Sequence, residues 1–492
     1  MRMIPHLTLT LVALMGVGTT PAECVAVARK DAETIPQSVL PYIRYFSLGE
    51  FDMAEREAKI RVLSGHVNHL SVEQDLVPVH IVDEWGLSVV RINLNDYHWS
   101  VETWDRLARV DPYFHVKVIR EWEGGVWPAD GKTYAKGAFP YNDFLLAPVL
   151  SEGPEGKANL SYLADALKTR VPILRADWFL NQTAIQANRA VGYFDWLGIK
   201  DQKTFDDLAG FDPKIGKRSG RIDRESVALS GVSLQPRGIL RKEGVRPIWV
   251  TFDFEQALGQ KNPLRVIGSD IEDSFDATEQ FGLLRNGLWA TFLANGKGVR
   301  QDFAPPQIAS DSMSRSNDKR VHINISCIRC HADGGLQSID GHFRNAIQPP
   351  LNLGATDEGQ AREFRQQYMS DLKRYLNRDR RVYEEAVKEV TGWTAKEWST
   401  RYAAEWERYE DARVDLAWVA RDLHVPQNQL KDAMNRALQQ KLVIRYQDHQ
   451  KIEVAPAIDL VFGTLIRGGS IGIRQYEELF PSAYATLRGV VP

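Results

Sequence analysis

Phe281-Gly-Leu-Leu-Arg-Asn286-Gly287-Leu-Trp-Ala-Thr-Phe-Leu293 sets an Asn-Gly pair between two apolar runs. Asn-Gly accepts the positive backbone φ that a tight reversal needs, and flanks of this kind fit a buried pleated surface, so the stretch predicts a β-hairpin. The neighbouring sequence has the same character. Upstream lie Ser226 to Leu240 and Pro247-Ile-Trp-Val-Thr-Phe-Asp-Phe254; downstream a second turn, Asn295-Gly296-Lys-Gly298, leads into Val299-Arg-Gln-Asp-Phe303. Residues 213–305 therefore read as a β-rich region. It opens on Lys214-Ile-Gly-Lys-Arg-Ser-Gly-Arg-Ile-Asp-Arg224, whose charges lack interleaved aromatics and so read as a solvated loop rather than a nucleic-acid patch.

Further out, residues 29–212 carry mixed signals. Phe51, Met53, Ala54, Ile60, Val62, Leu63, Val67 and Leu70 recur at three- and four-residue spacing and predict an amphipathic helix over 47–70. Val77–Val82 and Leu87–Leu94 flank Asp83-Glu-Trp-Gly86 as a hairpin, and Ser100 stands as N-cap of a helix over 100–107. Downstream the pattern turns helical. Leu372, Tyr375 and Leu376, then Val382, Tyr383, Ala386 and Val390, share a stripe that begins at Phe364 and Tyr368. Thr394-Ala-Lys-Glu397 is a capping box for a helix presenting Trp398, Tyr402, Trp406 and Tyr409, a stripe read first as core. Two helices broken at His424-Val-Pro426 and an apolar helical tail follow. The fold expected is α+β: a mixed N-terminal part, a β-rich middle and a mainly α-helical C-terminal part over 306–492.

The chain has 492 residues and a net charge of −3, with 43% hydrophobic and 25% charged residues, which gives no basic surplus for nucleic acid. Its start, Met1-Arg-Met-Ile-Pro-His followed by Leu7 to Val17 and small residues to Ala28, reads as a signal peptide over 1–28, cut after Ala22 or Ala28. No later stretch is long and apolar enough to cross a bilayer, so the expected product is periplasmic or secreted, with no transmembrane span.

Between the hairpins and the helices sits Val321-His-Ile-Asn-Ile-Ser-Cys327-Ile-Arg-Cys330-His331, bounded by prolines and serines before it and glycines after it. Two thiols one helical turn apart and an imidazole directly after them suit covalent haem: each sulfur forms a thioether with a porphyrin vinyl group, and His331 reaches the iron. Zinc wants four ligands, and the only further cysteine, Cys24, falls in the expected signal peptide. A redox dithiol or disulfide belongs at a strand-to-helix turn of a βαβ unit, and the flanks here read as loop. For the sixth position the candidates are Met369, His342, His322 and His98, or an open site. No Ser-His-Asp order, phosphate loop or H-E-x-x-H argues another chemistry, no catalytic residue is assigned, and Ser269 to Asp276 lacks the glycine of a calcium loop.

Taken together, Ile92-Asn-Leu-Asn-Asp-Tyr-His-Trp99, Trp104-Asp-Arg-Leu107, Arg175-Ala-Asp-Trp-Phe179, Ser230-Gly-Val-Ser233, Asn286-Gly-Leu288, Ile325–His331 and Asp415-Leu-Ala carry a resemblance. The chain resembles large exported bacterial proteins of the planctomycete type that bear one c-type haem, over nearly its whole mature length. Where those proteins often read Asn-Gly before the Ser-Cys entry, this one has Ile323-Asn324. The resemblance implies one covalent haem c per chain and no reaction. Electron transfer with a redox partner protein or a small-molecule donor or acceptor is the expected role. The alternatives are a haem-dependent, peroxidase-like oxidoreductase and a binding module carrying a haem sensor.

Overall fold

The computed structural model describes residues 19–114, 154–211, 222–227, 237–253, 275–306, 308–315, 318–332, 339, 372–423, 425–439, 445–448, 451–454, 458–478 and 480. In chain order these form α1 (Pro21–Ala32), β1 (Ile43–Ser47), α2 (Met53–His69), β2 (His80–Ile81), β3 (Val89–Asn93), α3 (Val101–Ala108), α4 (Pro154–Ala166), β4 (Ile173–Arg175), α5 (Ala176–Thr183), α6 (Tyr193–Leu197) and α7 (Gln202–Ala209). Then come β5 (Ile222–Val227), β6 (Arg237–Lys242), β7 (Ile248–Asp253), β8 (Ala277–Leu283), β9 (Trp289–Asn295), α8 (Ile325–Cys330), α9 (Lys373–Thr391), α10 (Ala395–Glu410), α11 (Leu416–Asp422), α12 (Gln427–Gln439) and α13 (Ile458–Ile466). The fold is a mixed α+β one, as expected.

The β8–β9 reversal is built as Asn286-Gly287 demands. Gly287 takes φ 84°, and Leu284 and Leu288 close a three-residue loop through a 2.8 Å bond from Leu284 N–H to Leu288 C=O. Glycine meets that left-handed conformation without a Cβ clash. Strands β5 to β9 form one antiparallel sheet in sequence order. All of β7 and β8 is buried, because both faces are covered. On one face Gly282 lies against Phe205 of α7, and Phe205 stacks on Phe292 at 5.0 Å. On the other, Arg241 and the Trp249 indole both reach Asp379 of α9, at 3.2 and 3.0 Å. Arg237, Glu279 and Phe281 share this second face by register.

The N-terminal sheet runs β2-β3-β1-β4, with β1 antiparallel to β3 and parallel to β4. The β2–β3 hairpin is held by the Asp83 carboxylate, which accepts from the backbone N–H of Ser88 and Val89. The helix expected over 47–70 starts later, at Met53: Ser47 belongs to β1, and a short loop through Phe51 intervenes. The caps at Ser100 and Thr394 form as expected, the latter with its reciprocal bond to Glu397. Within the α9 stripe Tyr383, Ala386 and Val390 are buried while Val382 is exposed.

Helix α2 is buried on most sides, between α9, α10 and α5. Its Gly65 is required by a close approach, since a Cβ there would fall 2.0 Å from the Trp398 indole nitrogen. One contiguous buried cluster runs from Cys24 to Phe480 through all three parts of the sequence. Arg175 is a clasp in it: its guanidinium pairs with Asp177 at 2.8 Å, reaches Asp422 of α11 at 3.3 Å and lies 4.2 Å from the Tyr113 ring centroid. Ser230–Ser233 lie outside the described residues.

Helix α1 bears on the leader. A capping box joins Thr20 and Glu23, and Cys24, Val25 and Ala28 are buried in the core. Residues 20–28, read from the sequence as the end of a leader, are thus packed here as part of the fold. No helix among the described residues is long and apolar enough to cross a membrane.

Candidate functional site

The stretch Cys327-Ile-Arg-Cys330 is helical. Its helix, α8, packs on α10 and is held at both ends and from the side. The Ser326 hydroxyl accepts from His322 N–H at 3.1 Å, and Arg329 reaches Asp311 of the preceding connector and Glu407 of α10. Helical pitch puts Cys327 and Cys330 on one face. His331 follows as the C-cap, its N–H donating to Cys327 C=O at 2.9 Å.

The entry to α8 is strained. Asn324 has φ 66° and ψ −71°, with Ile325 N–H bonded to Ile323 C=O at 2.9 Å, a γ-turn geometry. A glycine would meet this positive φ without strain. Here the Asn324 side chain, fully buried, donates to Ala184 C=O and to the Tyr402 hydroxyl, each at 2.9 Å. Tyr402 thus belongs to the support of the motif as well as to the core. Its ring stacks on Trp398 at 4.8 Å, and Trp398 stacks on His69 at 4.4 Å.

Glu279 of β8 lies beside both His331 and Cys327. His331 Nε2 is 3.9 Å from Glu279 Oε1, and the imidazole packs 4.5 Å from the Phe281 ring, centroid to centroid. Burial pushes the Cys327 thiol up, with the Glu279 carboxylate adding to the effect. Burial also pushes Cys330 up to about 12, with Asp311 and Glu279 contributing. Glu279 itself is raised by burial, but the imidazole of His331 and the guanidinium of Arg237 outweigh that and hold it below the usual carboxylate range. Arg237 lies 3.0 Å from Glu279 while donating two bonds, of 2.6 and 2.7 Å, to Asp253. A cavity of about 20 Å³ beside Arg237, Asp253 and Glu279 has room for one water.

Cys327 is 1% exposed, whereas Cys330 is partly exposed, with its Sγ 3.9 Å from Met313 Sδ. Cys24 is a free thiol set against Ser47 and Ser88, apart from the motif. Among the described residues no three His, Cys, Asp or Glu side chains are grouped to hold a bare metal ion. Of the candidates for a sixth position, Met369 and His342 lie outside the described residues. His322 bonds Asp318 at 2.8 Å and His98 bonds Glu73 at 3.0 Å, so each imidazole has a partner elsewhere. The donor set itself, two thiols on one helical face and the next imidazole, has the chemistry covalent haem requires.

Glu279 and Arg237 were not among the residues singled out from sequence. The available signal was a carboxylate in Ala277-Thr-Glu-Gln-Phe281 at the same phase as Phe281 in a strand buried on both faces, but its partner lies two strands away. Comparison with family models, curated proteins and solved structures returns no match.

Proposed function

We propose that the chain is an exported c-type cytochrome-like protein, with one haem c held through Cys327 and Cys330, His331 as an axial ligand, and electron transfer as its role. The helical placing of Cys327 and Cys330 one turn apart, with His331 directly after them as the C-cap, carries this reading, and the resemblance set out above supports it. Haem held in this way supplies a one-electron ferric/ferrous couple. The chain's own residues do the rest. Arg329, Ser326 and Asn324 fix α8, and Phe281 packs the His331 ring. The apolar leader fits a periplasmic or secreted protein, with a redox partner protein or a small-molecule donor or acceptor as counterpart.

The test is co-expression with a haem-attachment system. Wild type is expected to keep peroxidase stain on a denaturing gel, and Cys327→Ser with Cys330→Ser to lose it. Stain that survives in the double variant refutes thioether attachment. His331→Ala is expected to shift the Soret band, and an unchanged spectrum removes His331 as ligand.

A further inference from the structure

A trough with a volume of about 410 Å³ lies on the N-terminal sheet, formed by residues that neither belong to the cysteine motif nor hold it. Ile43 of β1 and Ile92 of β3 line it, together with Ile35 and Val39 from the turn after α1 and Val77 from the segment before β2. Both walls are fixed in advance of any ligand. Val77 C=O accepts from Asn68 Nδ2 and from the Tyr97 hydroxyl, each at 2.8 Å, and Val39 N–H bonds back to Pro36 C=O at 2.9 Å. The volume is that of a small-molecule site, and preformed walls lower the cost of filling it.

Of the titratable side chains in the lining, His80 is exposed at the rim and Tyr97 is held by Val77, which leaves Arg91 and Asp96. The Arg91 charge is already matched, since its Nη1 donates to both oxygens of Asp31, at 2.6 and 2.8 Å. Asp96 has no cation beside it among the described residues. Its side-chain hydrogen bond comes from the neutral Asn93 amide at 3.3 Å. Burial raises its carboxyl above the usual carboxylate range, and no charged neighbour draws it back. A positive group is what this lining lacks, and its apolar sides suit a hydrocarbon body. We propose that the trough binds a small organic cation, an ammonium group on a hydrocarbon body, with Asp96 receiving the charge. The carboxylate accepts hydrogen bonds from the ammonium N–H groups while the isoleucines and valines cover the chain. Binding of this kind is independent of haem attachment.

The experiment titrates the full chain with hexylamine, hexanol and hexanoate, three probes of one length and different charge, and reads binding by saturation-transfer NMR. Hexylamine is expected to bind wild type about fivefold more tightly than hexanol, the factor that a partly exposed ion pair contributes at its upper end, with hexanoate the weakest. Asp96→Asn keeps the shape of the side chain and should abolish that preference while leaving hexanol binding unchanged. Val39→Phe fills the trough from the turn after α1 and should weaken all three probes. Hexanol or hexanoate binding as tightly as hexylamine overturns the proposal, as does an Asp96→Asn protein that keeps the preference for the amine. Undiminished hexylamine binding in Val39→Phe overturns it as well, because the amine is then held elsewhere. If Asp96→Asn does not accumulate, the wild-type series and Val39→Phe decide the matter by the same criteria.

Discussion

Replacing Asn324 tests whether the strained turn before α8 is real and what its side chain contributes. Asn324→Ala deletes two buried hydrogen bonds, to Ala184 C=O and the Tyr402 hydroxyl, each worth about 1 kcal/mol net. Alanine keeps the strained γ-turn backbone that Asn324 already bears, so strain adds little to the difference between them. The expected loss is about 2 kcal/mol. Asn324→Gly loses the same bonds but is free of that strain, and even with the greater chain entropy of glycine its loss is expected to be smaller by about 1 kcal/mol. Urea unfolding followed by tryptophan fluorescence reads both values, since Trp398 and Trp406 lie on α10 beside Tyr402. The order of stability should be Asn, then Gly, then Ala. An alanine variant within about 0.5 kcal/mol of wild type, or one more stable than the glycine variant, refutes the geometry of the turn.

The two buried histidines of α2 make stability depend on acid. The Thr183 hydroxyl donates to Phe179 C=O, so His66 Nε2 must donate to Thr183 Oγ1; His69 Nδ1 must donate to Gly65 C=O. Burial lowers His66 to about 3, helped by His69, and His69 to about 4, which keeps both imidazoles neutral around pH 7. The unfolded chain takes up these protons near the ordinary histidine value of 6.5 and the folded chain does not, so stability is full above that pH and is lost as pH falls towards 4. The slope contributed is up to about 1.4 kcal/mol per pH unit for each histidine. His66→Gln with His69→Asn should flatten it in urea midpoints taken at pH 5 and 7, and an unaltered slope counts against the assignment. In the protein without haem, a maleimide should modify Cys330 well before Cys327 or Cys24, because only Cys330 is partly exposed. Mass mapping that finds Cys24 or Cys327 modified at the same rate would contradict the packing of α1 and α8.

What could be read along the chain was whatever neighbours in sequence decide between themselves. Asn286-Gly287 specifies a reversal because glycine alone meets the positive φ cheaply, and Ser100 and Thr394 mark helix starts because their oxygens reach backbone N–H groups three residues on. Cys327 and Cys330 share a helical face by spacing, since a helical turn settles where the sulfurs stand. Other features were settled only by contacts between distant segments. The parallel pairing of β1 with β4, the burial of α1 and the Arg175–Asp422 clasp all join residues remote in sequence. Glu279 reads locally as an ordinary strand carboxylate. It becomes part of the site because the register of β6, β7 and β8 sets it beside Arg237 and because α8, anchored by Arg329 and Asn324, turns His331 towards it. Pairings of that kind depend on the summed packing of both faces of a sheet, and no short window of sequence contains that sum.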